Sequence, residues 1–95
     1  MRIKIVYSDH LRFRLKLRKI PYGLPETIYR KSKEKYFDKI TFNKIALGKI
    51  KFKGKIREMA VVYRESADQV VLITTHPLKS FQKTNRIQSN RWQRI

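Results

Sequence analysis

The sequence predicts an α+β domain in which two N-terminal helices pack on a mainly antiparallel β-sheet, followed by a C-terminal helix or arm. Three observations carry that expectation. Helix signals concentrate between residues 8 and 34, where Ser8-Asp9 offers an N-cap and Pro25-Glu26 a first turn. From Tyr36 onward, runs of β-branched and aromatic residues are separated by turn residues. A chain of 95 residues with 41% hydrophobic and 12% aromatic content holds enough apolar material for one core. Residues 1–78 are accordingly assigned to the α+β domain, with 79–95 a basic tail of the same domain.

Each element rests on its own pattern. Met1 to Tyr7 alternates Ile3, Ile5 and Tyr7 with Arg2, Lys4 and Val6, which reads as a strand. Leu11 to Ile20 also alternates, with Leu11, Phe13, Leu15 and Leu17 set against Arg12, Arg14, Lys16 and Arg18, and taken alone it favours a strand. The Ser8-Asp9 cap and the helix-forming Leu, Arg and Lys favour a helix instead. On a helix the apolar residues split into Leu11 with Leu15, and Phe13 with Leu17 and Ile20, which suits burial between a sheet and a second helix. Pro21-Tyr22-Gly23 ends that element, and a second helix runs from Pro25 to about Glu34.

Strands follow at Tyr36 to Phe42, Ile45 to Lys53, Arg57 to Arg64 and Val70 to His76. Lys53-Gly54-Lys55 is a hairpin turn and Ser66-Ala67-Asp68 the next. Val70 to Thr74 is apolar on both faces and so central, whereas Lys49, Lys51 and Lys53 line one face of a half-exposed strand. The tail from Lys79 has no acidic residue, and Phe81, Ile87, Trp92 and Ile95 are its large apolar side chains.

Charge points to the partner. Twenty-four Lys and Arg oppose seven Asp and Glu, a formal net charge of +17. Such a surplus repels itself, and a phosphate backbone relieves the repulsion by neutralisation and counterion release. Ion-pair networks would need both signs in comparable number. Nucleic acid, or a ribonucleoprotein such as the ribosome, is the expected partner.

Composition excludes other classes. With no cysteine there is no disulfide, thiolate metal site or cysteine nucleophile, which fits a cytoplasmic protein. The glycines at 23, 48 and 54 are too scattered to form a phosphate-cradling loop, and the carboxylates are dispersed, so neither a nucleotide cofactor nor a metal is expected. Short apolar runs and a charged N-terminus predict no signal peptide and no membrane association.

One chemistry needs none of these groups. In metal-independent RNA cleavage a 2′-hydroxyl attacks its own phosphodiester, helped by a proton acceptor, a proton donor and cations on the phosphorane. His10 and His76 are the only side chains whose type titrates near neutrality. His76 closes the last strand of the 1–78 domain and His10 opens the first helix, so the two could cooperate only if the strands preceding them are parallel neighbours. Lys49, Lys51, Lys53, Lys55 and Arg57 cluster at one hairpin, where phosphate contact is the expected role. Arg64 lies at the far end of the next strand; Lys79, Arg86 and Arg91 give the tail its charge, and Trp92 is either a base-stacking ring or a docking anchor.

The motifs His10-x3-Arg14-x3-Arg18-x-Ile20, Val61-Val62-Tyr63, Val71-Leu72-Ile73-Thr74-Thr75-His76-Pro77 and Gln82-x2-Asn85-Arg86-Ile87-x-Ser89-x-Arg91-Trp92 together resemble small domain-of-unknown-function proteins related to the RelE and ParE toxins. The resemblance implies a RelE-like fold and the toxin half of a toxin–antitoxin pair, neutralised by an acidic antitoxin. For a RelE-like mRNA endoribonuclease, the matching positions here are Lys51, Lys53, Arg57, Arg64 and His76. A non-catalytic RNA- or DNA-binding module of the same fold, or a ParE-like inhibitor directed at a protein, is the alternative it leaves open.

Overall fold

The computed structural model describes residues 3–95. In chain order its elements are β1 (Lys4–Tyr7), α1 (Asp9–Arg18), α2 (Leu24–Lys31), β2 (Glu34–Asp38), β3 (Lys44–Phe52), β4 (Lys55–Glu65), β5 (Gln69–Pro77), α3 (Ser80–Gln88) and β6 (Trp92–Arg94). The strands form one six-stranded sheet in the order β1-β5-β4-β3-β2-β6. β1 pairs in parallel with β5, and every other pairing is antiparallel.

This corrects the expected architecture. The leading strand and the C-terminal helix agree with the residue patterns, but the sheet is mixed, a closing strand follows that helix, and the RelE-like arrangement of two leading helices on an antiparallel sheet is not adopted. Two long-range pairings account for the difference. β1 lies in register with β5 from Lys4 opposite Gln69 to Tyr7 opposite Leu72. The tail segment Trp92–Arg94 completes the open edge of β2, where edge pairing satisfies backbone groups whatever the local propensity. Of the strand expected from Met1, residues 1 and 2 lie outside the described residues.

Local chemistry sets the element boundaries. Ser8 caps α1: its hydroxyl accepts from the Leu11 amide at 3.0 Å and donates to the Ile73 carbonyl at 2.7 Å, fastening the helix start to β5. α1 ends at Lys19, which takes a left-handed conformation with φ 54°. β2 stops at Asp38 because one of its carboxylate oxygens accepts from the amides of Ile40 and Thr41, folding the chain into a turn that ends at Phe42 with φ 62°. The segment expected to stay extended to Phe42 is therefore half turn.

The sheet separates two apolar layers. On one face α1 and α2 bury Leu11, Leu15 and Ile28 against Met59, Val61 and Leu72. Gly48 of β3 permits the close approach of α2, since a Cβ there would sit 3.2 Å from Ile28 Cγ2. On the other face Tyr36, Ile45, Leu47, Ala60, Leu78 and Trp92 form a smaller cluster. α3 has no buried residue of its own, and its Lys83 reaches Glu34 of β2 at 2.7 Å and Glu58 of β4 at 3.4 Å. One expectation for α1 also needs correcting. Only the Leu11–Leu15 side and Ile20 are buried, while Phe13 and Leu17 are 65% and 67% exposed, because no second helix covers them.

Candidate functional site

An open cleft of about 660 Å³ lies where β5 leaves the sheet and β4 enters it, lined by Arg14 and Arg18 of α1, Lys55 to Glu58 of β4, His76 and Pro77 of β5, and Leu78 to Ser80 leading into α3. The antiparallel pairing of β4 with β5 sets Ala60 opposite His76 and Met59 opposite Pro77, which brings the start of one strand to the end of the other. Arg14 and Arg18 are four residues apart on α1, so both project along one flank of the helix. Three elements distant in sequence thus present cations to one space.

The balance of charge there is one-sided. Arg14, Arg18, Lys55, Arg57 and Lys79 line the cleft with a single carboxylate, Glu58, which is engaged by Lys83. Among the described residues, ion pairs form at Arg30, Lys44, Lys83 and Arg91, none of which lines the cleft. Arg14 carries a further mark, since its Nε is buried without a hydrogen-bond partner.

His76 is the histidine of the cleft. Burial lowers its pKa below the ordinary value of 6.5, and the positive charges of Arg86, Arg14 and Arg18 lower it further. Its imidazole is therefore mainly neutral at pH 7 and can accept a proton. Two residues earlier, the Thr74 hydroxyl is buried without a partner.

The other residues singled out by the sequence are distributed unevenly. Arg57, Lys55 and Lys79 join His76 in the cleft. Lys49 and Lys51 lie on β3 opposite Glu58 and Ile56, and Lys53 forms the hairpin turn with φ 52°, so these three stand along the adjoining ribbon outside the lining. His10 meets the stated condition, because β1 and β5 are parallel neighbours, yet it sits in the first turn of α1 about 6 Å along the axis from Arg14 and does not line the cleft. Arg64 hydrogen-bonds the Asn43 side-chain oxygen at 2.9 Å, at the other end of β4. Arg91 forks onto Asp38, Arg86 lies over the Trp92 ring at 5.3 Å, and Trp92 itself is 5% exposed and stacked on Tyr36 at 5.5 Å. Trp92 is thus a packing anchor for β6.

Arg14 and Arg18 stood in the sequence as part of a helix motif and not as site residues. Their four-residue spacing was the available signal, but it names a flank only once α1 is known to bury Leu11 and Leu15. Glu58 and Ser80 gave none, since both join the cleft through pairing and chain reversal. Comparison with protein-family models, curated proteins and solved structures gives no match for this chain.

Proposed function

We propose that the protein binds RNA by gripping the phosphodiester backbone in the His76 cleft. The observation that carries this reading is the convergence of five cations from three elements on one open cleft whose single carboxylate is engaged elsewhere. Phosphate oxygens meet the guanidinium groups of Arg14, Arg18 and Arg57 as charge-assisted pairs, with Lys55 and Lys79 at the rim. Fluorescence anisotropy with a single-stranded RNA tests it directly. Arg57→Ala and Arg14→Ala weaken binding several-fold each, whereas Lys44→Ala, which removes a cation paired to Glu65 outside the cleft, leaves it within twofold. Equal losses from all three would mean that binding is diffuse and the cleft is not its seat.

A second reading, metal-independent cleavage, is favoured by the neutral imidazole of His76 beside these cations. His76 takes the proton of a ribose 2′-hydroxyl as that oxygen bonds to phosphorus, the bond from phosphorus to the 5′-oxygen breaks, and a cleft ammonium supplies the proton for the leaving oxygen. Arg57 and Arg14 carry the phosphorane charge. The products are a 2′,3′-cyclic phosphate and a 5′-hydroxyl, and both His76→Ala and a 2′-deoxy substitution at the scissile ribose abolish them. Intact RNA after incubation with the native protein and ribosomes would leave the binding reading alone. A toxin role neutralised by an acidic partner goes with cleavage and is supported by the residue motifs, the RelE-like arrangement having been corrected. Growth arrest on expression, lost in His76→Ala, tests that role.

A further inference from the structure

A second cationic groove, of about 240 Å³, opens between the C-terminal half of α2 and β3. Lys31 and Lys33 line it, and Lys49 joins them at the edge that β3 presents beyond Leu47, its last pairing with β2. No carboxylate lines the groove, and none of the three lysines belongs to an ion pair among the described residues. Its shape is set locally. Gly48 adds no side chain to the floor, and the Ser32 hydroxyl donates to the Leu47 carbonyl at 2.7 Å, which fastens the end of α2 to β3 with a lysine on either side of the fastened residue. Compensation of the helix dipole accounts for Lys31, in the last turn of α2. It does not account for Lys33, which follows the helix, or for Lys49 on β3.

The groove adjoins the His76 cleft. Arg57 of the cleft and Ile50 of the groove are cross-strand partners, so they share one face of the sheet with their Cβ atoms about 5 Å apart. We propose that the groove is a second phosphate-binding subsite, which carries an RNA strand onward from the cleft across the root of the β3–β4 ribbon to α2. This inference rests on the RNA-binding reading of the cleft and specifies its ligand further. The ligand is a single strand long enough to cover both grooves. In the second groove it is held by its backbone without base selectivity, because neither an aromatic ring nor a side-chain amide lines that groove. A free phosphate ion would occupy one groove only, whereas a continuous polyanion satisfies the cations of both.

The test compares fluorescence anisotropy of single-stranded RNAs of about six and about twelve nucleotides in about 0.15 M salt. The groove variant Lys31→Gln/Lys33→Gln/Lys49→Gln changes exposed side chains and keeps the fold. A control, Lys4→Gln/Lys16→Gln/Lys39→Gln, removes the same charge from exposed positions outside both grooves. The native protein binds the longer RNA about tenfold or more tightly than the shorter. The groove variant loses that advantage and holds the shorter RNA within twofold of the native protein, while the control keeps the advantage. Arg57→Ala weakens both RNAs. Equal affinity of the native protein for the two lengths overturns the proposal, as does an equal loss in the groove and control variants, which would trace the effect to net charge. If Arg57→Ala weakens both RNAs and the groove variant neither, the second subsite falls and the cleft reading stands. If the groove variant weakens the longer RNA and Arg57→Ala weakens neither, the cleft reading falls and takes the path between the grooves with it.

Discussion

His76 and Asp38 show how burial acts oppositely on two titratable groups according to their neighbours. At His76, burial and the charges of Arg86, Arg14 and Arg18 all favour the neutral imidazole. The folded protein therefore releases this proton more readily than the unfolded chain, so the group imposes no penalty above pH 6.5 and destabilises the fold increasingly as pH falls below it. An NMR titration of the free protein gives a His76 midpoint below 6.5, and added RNA raises it by bringing a phosphate beside the ring. A midpoint at or above 6.5 without RNA would remove the basis for His76 as proton acceptor. At Asp38, burial works to raise the pKa, but the Arg91 guanidinium and the amides of Ile40 and Thr41 outweigh it and hold the carboxyl at about 2, from an ordinary 3.8. That depressed value contributes stability above pH 3.8 that is lost as pH falls through about 2. With Arg91 about a third exposed to screening water, the contribution is about 1–2 kcal/mol. Asp38→Asn lowers stability at pH 7 by about that amount and removes its loss on acidification, as read from urea midpoints at pH 7 and about pH 2.

At the scale of elements, α1 and β6 show what local pattern can and cannot convey. The alternation from Leu11 to Leu17 fits strand and helix alike, and the Ser8 cap decides between them because its hydroxyl ties α1 to both its own first turn and β5. Which side of α1 faces the core was not legible, since two apolar groups competed and only the position of the sheet chose Leu11 and Leu15. β6 was invisible for a related reason: Trp92, Gln93 and Arg94 become a strand by adding to the edge of β2, an event separated from them by more than fifty residues. The four meander strands were legible because each carries its own β-forming run and turn. α2 depends on a single small residue beneath it. Gly48→Val places branched carbons where Ile28 already sits within 3.2 Å of the first added atom, so the variant is destabilised by about 1–3 kcal/mol and loses amide protection in residues 24–31 before the rest of the chain. Unchanged protection there would show that α2 shifts without cost.

Across the whole molecule, the surplus of positive charge acquires a place. The sheet brings the end of β5 to the start of β4, α1 lays Arg14 and Arg18 alongside, and the entry to α3 adds Lys79, so five cations meet at His76. His76, Lys55, Arg57 and Lys79 were legible as residues of interest, yet their convergence with α1 depends on the parallel β1–β5 pairing that places the helix. Arg64 and Arg91 carry the same charge, but hydrogen bonds to Asn43 and Asp38 occupy them. Residue type alone could not separate the two sets. The salt dependence of affinity for a short single-stranded RNA that fills the cleft alone tests the central claim most directly. The logarithm of the association constant falls against the logarithm of salt concentration with a slope of about −3.5, since each of five cleft cations contributes about 0.7. Arg57→Ala reduces that slope by about 0.7, whereas removing the ion-paired Lys44 does not change it. A slope altered equally by Lys44→Ala and Arg57→Ala would contradict the assignment of RNA binding to the His76 cleft.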